Sequence, residues 1–270
     1  MTITQSELAA LIDEYLQLVF TADPIEATQL GIHDYDSTLG DYSAEAYTEE
    51  IAKRQVFLSR LQAIDTTTLD AGERLDHQLA LIDVRTSLRR LQDRAIWMCA
   101  PYWYVEQLGT AFSALMRDDG QSPEAQAERL WARLRLAPKY LATVQNNLTA
   151  ITAPLHVEMG LAAVKGLRTF LAAAIPGFAR QLEETLQNDL AHATAGAQSA
   201  LDEFEQFLKE FHAQATGSFA CGPEHFDYLL KHFHLLDLDH RQLQEFGLAQ
   251  MVMDKTALEE YARQLDPNTS

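Results

Sequence analysis

Four of the nine histidines cluster near the C-terminal end of the chain, and imidazole is the commonest metal ligand in proteins. The four are His225, His232, His234 and His240. Zinc holds its nitrogen ligands at about 2.0–2.1 Å, whereas residues seven positions apart on a helix are separated by about 10 Å. The pair His225 and His232 therefore cannot chelate one ion alone. The cluster predicts a weak metal site at His225, His232 and His234 if the chain turns at 233–237. Packed or solvated histidines at a helix end are the competing interpretation.

The common catalytic motifs are missing from the sequence. No two histidines lie three or four positions apart, and no histidine is followed by glutamate, so the His-Glu-x-x-His zinc motif is absent. The chain also lacks Gly-x-Gly, Gly-Lys and Gly-x-Ser-x-Gly, which excludes the usual dinucleotide, P-loop and nucleophile-elbow signatures. We therefore expect no catalytic residue and no cofactor in this chain.

The most distinctive polar stretch is the segment 31–36, GIHDYD. Loops on a rigid scaffold often carry binding sites, so His33, Tyr35 and Asp36 are candidates for the lip of a pocket. Aspartate side chains also bond to nearby amides in turns. A purely local structural role is therefore the competing interpretation.

Helices must position these residues, since apolar side chains recur at spacings of three and four and no segment alternates over strand length. Helix starts are indicated at Asp23-Pro24, Ser43, Asp70 with Glu73, and Ser122-Pro123. Proline predicts a kink or break at Pro138, and Pro176-Gly177 an interruption. The sequence predicts an all-α, multi-helix array of antiparallel helical hairpins, with roughly nine to eleven helices in a single domain over 1–270.

Acidic residues outnumber basic ones by 39 to 21, giving a net charge of −18. A negative surface repels nucleic acid and anionic lipid, so neither is an expected partner. The segment 1–20 carries Glu7, Asp13 and Glu14 where a signal peptide would be apolar, and no unbroken run of about 18 apolar residues occurs. Two cysteines are too few for a disulfide framework. These features predict a cytoplasmic protein.

The last predicted helix, about 240–265, is apolar on more than one side. A surface helix normally buries one apolar stripe and hydrates the rest, so a second apolar side needs a second neighbour. The sequence therefore predicts a partner interface at Met251, Val252, Met253 and Tyr261.

Two groups of residues resemble a bacterial family known as domain of unknown function 885. The first group consists of Asp23-Pro24, Ala27-Thr28, Gly31, His33, Tyr35-Asp36, Leu39 and Asp41. The second consists of the segment 219–226 (FACGPEHF), Leu229-Leu230, His234 and Gly247. The resemblance covers most of the chain.

Full members of that family are about twice as long, and their second half is similar to gluzincin-type zinc metallopeptidases with a His-Glu-x-x-Pro-Gly-His helix. The resemblance implies that this chain corresponds to the helical N-terminal half and that zinc belongs only to the second half. A truncation, a split gene and a shortened paralogue are all compatible with it.

Three functional hypotheses follow. The first is a non-catalytic helical half that shapes a substrate cleft and packs on a catalytic half, with peptide as the implied substrate. The second is a self-sufficient, oligomeric helical scaffold or binding protein whose partner is another copy of the chain. The third is a metalloenzyme that uses the 221–240 cluster.

Overall fold

The structure is a computed structural model that describes residues 7–117 and 120–265. Within those residues it contains ten α-helices, short 3₁₀ and π turns, and no strand. The all-α prediction and the predicted number of helices are confirmed. The helices are α1 (Glu7–Ala22), α2 (Pro24–Gln29), α3 (Ala44–Ala63), α4 (Ala71–Leu88), α5 (Pro101–Ala114), α6 (Pro123–Asn147), α7 (Pro154–Ala179), α8 (Glu184–Phe211), α9 (Pro223–His232) and α10 (His240–Leu265).

The chain divides into two compact units, the first extending to Phe219 and the second beginning at Ala220. The first contains α1 to α8 and the second contains α9 and α10. The prediction of a single domain over 1–270 stays a prediction.

The helix starts follow the predicted capping residues. The Asp23 side chain accepts from two amides of the first turn of α2, where Pro24 needs no amide partner. Ser43 and Ser122 cap α3 and α6 in the same way, and Asp70 with Glu73 forms a complete capping box on α4. Local hydrogen bonding therefore determines where these helices begin.

The predicted interruption at Pro176-Gly177 is wrong, and so is the break at Pro138, because α6 and α7 continue through both prolines. A kink at Pro138, the other form of that prediction, stays a prediction. A proline inside a helix costs about 3 kcal/mol or more. In α6 the apolar side chains of Leu134, Ala137 and Leu141 surround Pro138 in sequence and are fully buried. Their packing offsets the lost hydrogen bond.

The first unit has two apolar clusters. The larger is formed mainly by α5 to α8, where α6 packs on α8 and α7 packs on both α5 and α8. The smaller is formed by α1 with α3 and α4, and it includes Leu11, Phe57 and Val84. The loop between α2 and α3 contributes Leu39 and Tyr42 to the larger cluster, so this loop is part of the core.

One described helix, α7, is long and apolar enough to meet the length and composition criteria for a membrane span. Its side chains Val157, Val164 and Leu171 are buried in the larger cluster. Core helices of globular proteins commonly meet the same criteria, so this property alone is weak evidence for a membrane span.

The end of the first unit runs along the α6–α7 connection. The amide of Thr216 donates to the Ala150 carbonyl (3.1 Å), and the amide of Gly217 donates to the Thr152 carbonyl (2.9 Å). A Cβ added at Gly217 would lie 1.7 Å from the carbonyl oxygen of Ile151. The two backbones can therefore approach this closely only because residue 217 is glycine.

Candidate functional site

A buried arginine on α6 ties the 31–43 loop to its surroundings. Arg133 is fully buried, and its Nε donates to the Thr38 carbonyl (3.0 Å) while Nη1 donates to the Ala111 carbonyl (3.0 Å). Nη2 is within hydrogen-bond distance of the Thr28 hydroxyl (2.6 Å) and of the carbonyls of Pro24 (3.1 Å) and Tyr35 (3.3 Å). One side chain thus joins α2, the loop, α5 and α6.

A buried carboxylate completes this network. Asp36 is 1% exposed, and its Oδ1 accepts from the Thr28 hydroxyl at 2.6 Å. Its Oδ2 lies 2.8 Å from Nδ1 of His33 and 3.2 Å from Nη1 of Arg129. We call Thr28, His33, Asp36, Arg129 and Arg133 the loop clamp. Buried charges require such partners, and the clamp supplies them from two helices and the loop.

Burial also affects the charge of the arginine. Desolvation lowers the pKa of Arg133 to about 10, and the charge of Asp36 opposes that shift. The guanidinium therefore remains protonated at neutral pH. A cation buried at this position attracts every carbonyl and carboxylate that the loop directs toward it, which fixes the loop on α6.

The three pocket-lip candidates, His33, Tyr35 and Asp36, are all hydrogen-bonded to other side chains. Asp36 is inside the loop clamp, His33 bonds to it from a partly exposed position, and the Tyr35 hydroxyl donates to the Gln17 side chain at 2.9 Å. Through these bonds the three side chains connect the loop to its surroundings. Residues 38–42 of the same loop border a cavity of about 190 Å³ with α6. A role as a pocket lip stays a prediction.

We expect His33→Ala to lower the free energy of unfolding by about 1 kcal/mol, since it removes one hydrogen bond from the buried Asp36 carboxylate. Asp34→Ala, in the same turn, is the control and should change it by less than about 0.5 kcal/mol. Urea unfolding of both variants measures this. Equal stabilities of wild type and His33→Ala would show that the bond does not secure the loop.

The three weak metal candidates lie in the second unit. The His232 ring packs on Tyr228 at 4.5 Å between centroids, and the His234 ring packs on Phe233 at 4.9 Å. Within residues 7–117 and 120–265, no group of three or more His, Cys, Asp or Glu side chains is arranged to hold a metal ion. The structure therefore does not bring His225, His232 and His234 together as a ligand set.

The fourth histidine of the cluster has a defined structural role. His240 Nδ1 lies 2.8 Å from Oδ2 of Asp227, and the amide of His240 donates to Oδ1 at 2.6 Å. These hydrogen bonds lower the pKa of Asp227. Asp239 and Gln242 form a reciprocal cap at the start of α10: the amide of Asp239 donates to the Gln242 side chain, and the amide of Gln242 donates to Oδ1 of Asp239. The second unit thus has a well-bonded junction between α9 and α10.

The candidate interface residues all lie on α10, in which no residue is buried. Met251, Val252, Met253 and Tyr261 are between 64% and 68% exposed. Further exposed apolar side chains on the helix are Phe246, Leu248, Leu258 and Leu265. We call these eight side chains the α10 surface. Large apolar side chains that are exposed together on one helix are typical of an interaction site.

Sequence reasoning missed the cationic half of the loop clamp. Arg129 and Arg133 lie one turn apart on α6, almost 100 positions after the loop that they bind. The sequence does contain an indication of this role, because Arg133 lies among Leu130, Leu134 and Ala137 on the apolar face of the helix. An arginine in that position needs buried partners.

Comparison with known proteins identifies a matching family and a solved structure of similar fold. A family of bacterial proteins of unknown function, DUF885, matches residues 24–270. In fold the chain is similar to a protein from Shewanella oneidensis described as "a putative lipoprotein of unknown function", with a TM-score of 0.78 and 15% identity. The match covers 98% of this chain and 50% of that one, so the chain spans about half the length of this solved relative. No curated protein sequence matches.

Proposed function

The chain belongs to the DUF885 family of bacterial proteins, and on that basis we propose that it is a non-catalytic helical half that packs on a second half through the α10 surface. The second half would be encoded further along the same frame or in a neighbouring gene. In the assembled protein this chain would shape one side of a substrate cleft.

The observation that carries the proposal is the exposure of α10. The helix has 26 residues, which corresponds to about 39 Å, and none of its side chains is buried. Met251, Leu258 and Leu265 recur at intervals of seven on one line of this helix. Apolar side chains at that interval form the contact seam between paired helices. A helix of this kind gains stability by packing on another polypeptide.

The length of the solved relative favours a second half, and not a second copy of this chain, as the polypeptide that covers the α10 surface. Almost all of this chain superposes on half of that protein, so an equally long region of the relative has no counterpart here. That region is the natural source of surfaces that cover α10. Methionine side chains suit such a contact because they are flexible and polarizable.

In this proposal the chemistry belongs to the second half. The family resemblance implies a zinc-bearing His-Glu-x-x-Pro-Gly-His helix there, with zinc activating water and the glutamate acting as base. This chain would contribute shape and a negatively charged surface. Peptide as substrate and a cytoplasmic location are parts of the same proposal.

The test is to read the DNA after codon 270 and in the adjacent genes, and to co-express the frame found there with this chain. We expect a frame that encodes His-Glu-x-x-Pro-Gly-His and a product that co-purifies with the wild-type chain. Met251→Glu with Val252→Glu should abolish co-purification. Val56→Glu, on the exposed surface of α3, is the control and should leave it intact.

The alternative is a self-sufficient scaffold in which a second copy covers α10. It predicts that light scattering of the pure chain gives the mass of a dimer and that the double variant gives the mass of a monomer. A genome without a second-half frame, together with this dimer, would overturn the proposal. A monomer that co-purifies with the second half would support it.

A further inference from the structure

An open groove runs between α1 and α4 in the first unit, with a volume of about 430 Å³. Ile12, Asp13 and Leu16 line it from α1, and Asp76, Leu79 and Asp83 line it from α4. Leu16 and Leu79 are 39% and 54% exposed, and Leu75, one turn before Leu79, is 56% exposed. Large aliphatic side chains are thus open to solvent in a concave surface.

The spacing of the groove residues shows that each wall of the groove is one face of a helix. On α1 the positions 9, 12, 13 and 16 follow the pattern i, i+3, i+4, i+7, and on α4 the positions 76, 79, 80 and 83 repeat it. Each set is one face of a helix. Both helices also pack on α3. The groove is therefore a seam between two helices that a third helix can fill.

The negative charge of the groove favours a helix with basic residues over one with acidic residues. Among the residues that the structure describes, its lining includes three carboxylates, those of Asp13, Asp76 and Asp83, and no lysine or arginine. Apolar side chains lie between these carboxylates. An apolar helix with acidic flanks would be repelled, whereas lysine or arginine beside its apolar stripe would meet opposite charge.

The geometry points to a site for a basic amphipathic helix of a partner protein, and we propose that such a helix docks between α1 and α4. Its apolar stripe contacts Ile12, Leu16 and Leu79, and its basic residues lie beside Asp13 and Asp76. This is helix-in-groove recognition, in which side chains at i, i+3, i+4 and i+7 act as anchors. The site is independent of α10 and of the proposed function.

The base of the groove is held in place for such a partner. The Tyr15 hydroxyl donates to Oδ2 of Asp83 at 2.5 Å and accepts from Nη1 of Arg54, a buried side chain. Arg54 in turn bonds to Glu50 on its own helix, with Nη2 at 2.7 Å from Oε1. This chain of bonds fixes α1 against α3 and α4. The two walls are therefore formed before a partner arrives.

The test uses two synthetic helical peptides of about 16 residues that share one leucine and alanine stripe, the first flanked by lysines and the second by glutamates. Fluorescence anisotropy with the whole chain measures binding. We expect the lysine peptide to bind at least ten-fold more tightly than the glutamate peptide, and its affinity to fall as salt rises.

Variants locate the site. Leu79→Glu should lower the affinity for the lysine peptide at least ten-fold. The double variant Asp13→Lys with Asp76→Lys should bind the glutamate peptide more tightly than the lysine peptide. Val56→Glu places the same charge on α3 outside the groove, so it should leave the affinity for both peptides unchanged. Thermal melts confirm that each variant is folded. Equal binding of both peptides, no binding of the lysine peptide, or equal effects of Leu79→Glu and Val56→Glu would overturn the proposal.

Discussion

Replacing Arg133 with methionine should lower the free energy of unfolding by about 3–5 kcal/mol, the range for removing one partner of a buried charge network. Methionine keeps much of the volume but none of the donors. Four carbonyls and the Thr28 hydroxyl lose a hydrogen bond, and Asp36 loses a nearby positive charge. The loop would then be held by fewer contacts. Urea unfolding measures the loss.

Two other variants show whether the network causes that loss. Arg135→Met, on the exposed side of the same helix, removes a contact with the Trp131 ring and should cost about 1 kcal/mol or less. Arg133→Lys keeps the charge but has three donors for five acceptors, so it should fall between wild type and Arg133→Met. An Arg133→Met protein as stable as Arg135→Met would contradict the account of the loop clamp.

Gly217→Ala should destabilise the first unit by about 1–3 kcal/mol or more, the cost of forcing extra volume into packed structure. The added Cβ would collide with backbone atoms of Ile151, which cannot rotate away as a side chain can. The segment must therefore move and give up the bonds from Thr216 and Gly217 to the α6–α7 connection. A lower urea midpoint, measured with a fluorescence probe in the first unit, is the expected result.

The matched control is Gly177→Ala in α7, where an added Cβ meets nothing within 4 Å. Alanine is the better helix former by about 1 kcal/mol, so this variant should be as stable as wild type or more stable. If Gly217→Ala also left the free energy of unfolding unchanged, residues 217 and 151 would not lie as close together as they do in this structure.

Local features of the fold could be predicted from the sequence, because they depend on neighbouring residues. The caps at Asp23, Ser43 and Asp70 are bonds within one turn, and all three are found where the sequence places them. The same local rules predicted a kink or break at Pro138, and the break does not occur, because burial of the surrounding helix face stabilises the continuous helix.

The loop clamp could be predicted only in part. The sequence identifies His33, Tyr35 and Asp36 as a distinctive polar group, but it does not reveal their partners on α6. Contacts between residues almost 100 positions apart depend on how helices pack, which periodicity does not specify. The groove between α1 and α4 was missed for the same reason, since each stripe has the appearance of an ordinary core face.

The central claim is that the α10 surface faces a partner and is not part of this chain's own core. The most direct test is the free energy of unfolding of the isolated chain with Met251→Glu and Val252→Glu. Both side chains are exposed and glutamate favours helix, so we predict a change of less than about 0.5 kcal/mol for each. A loss of about 2 kcal/mol or more in both variants would mean that the helix is buried within its own chain, and would contradict the claim.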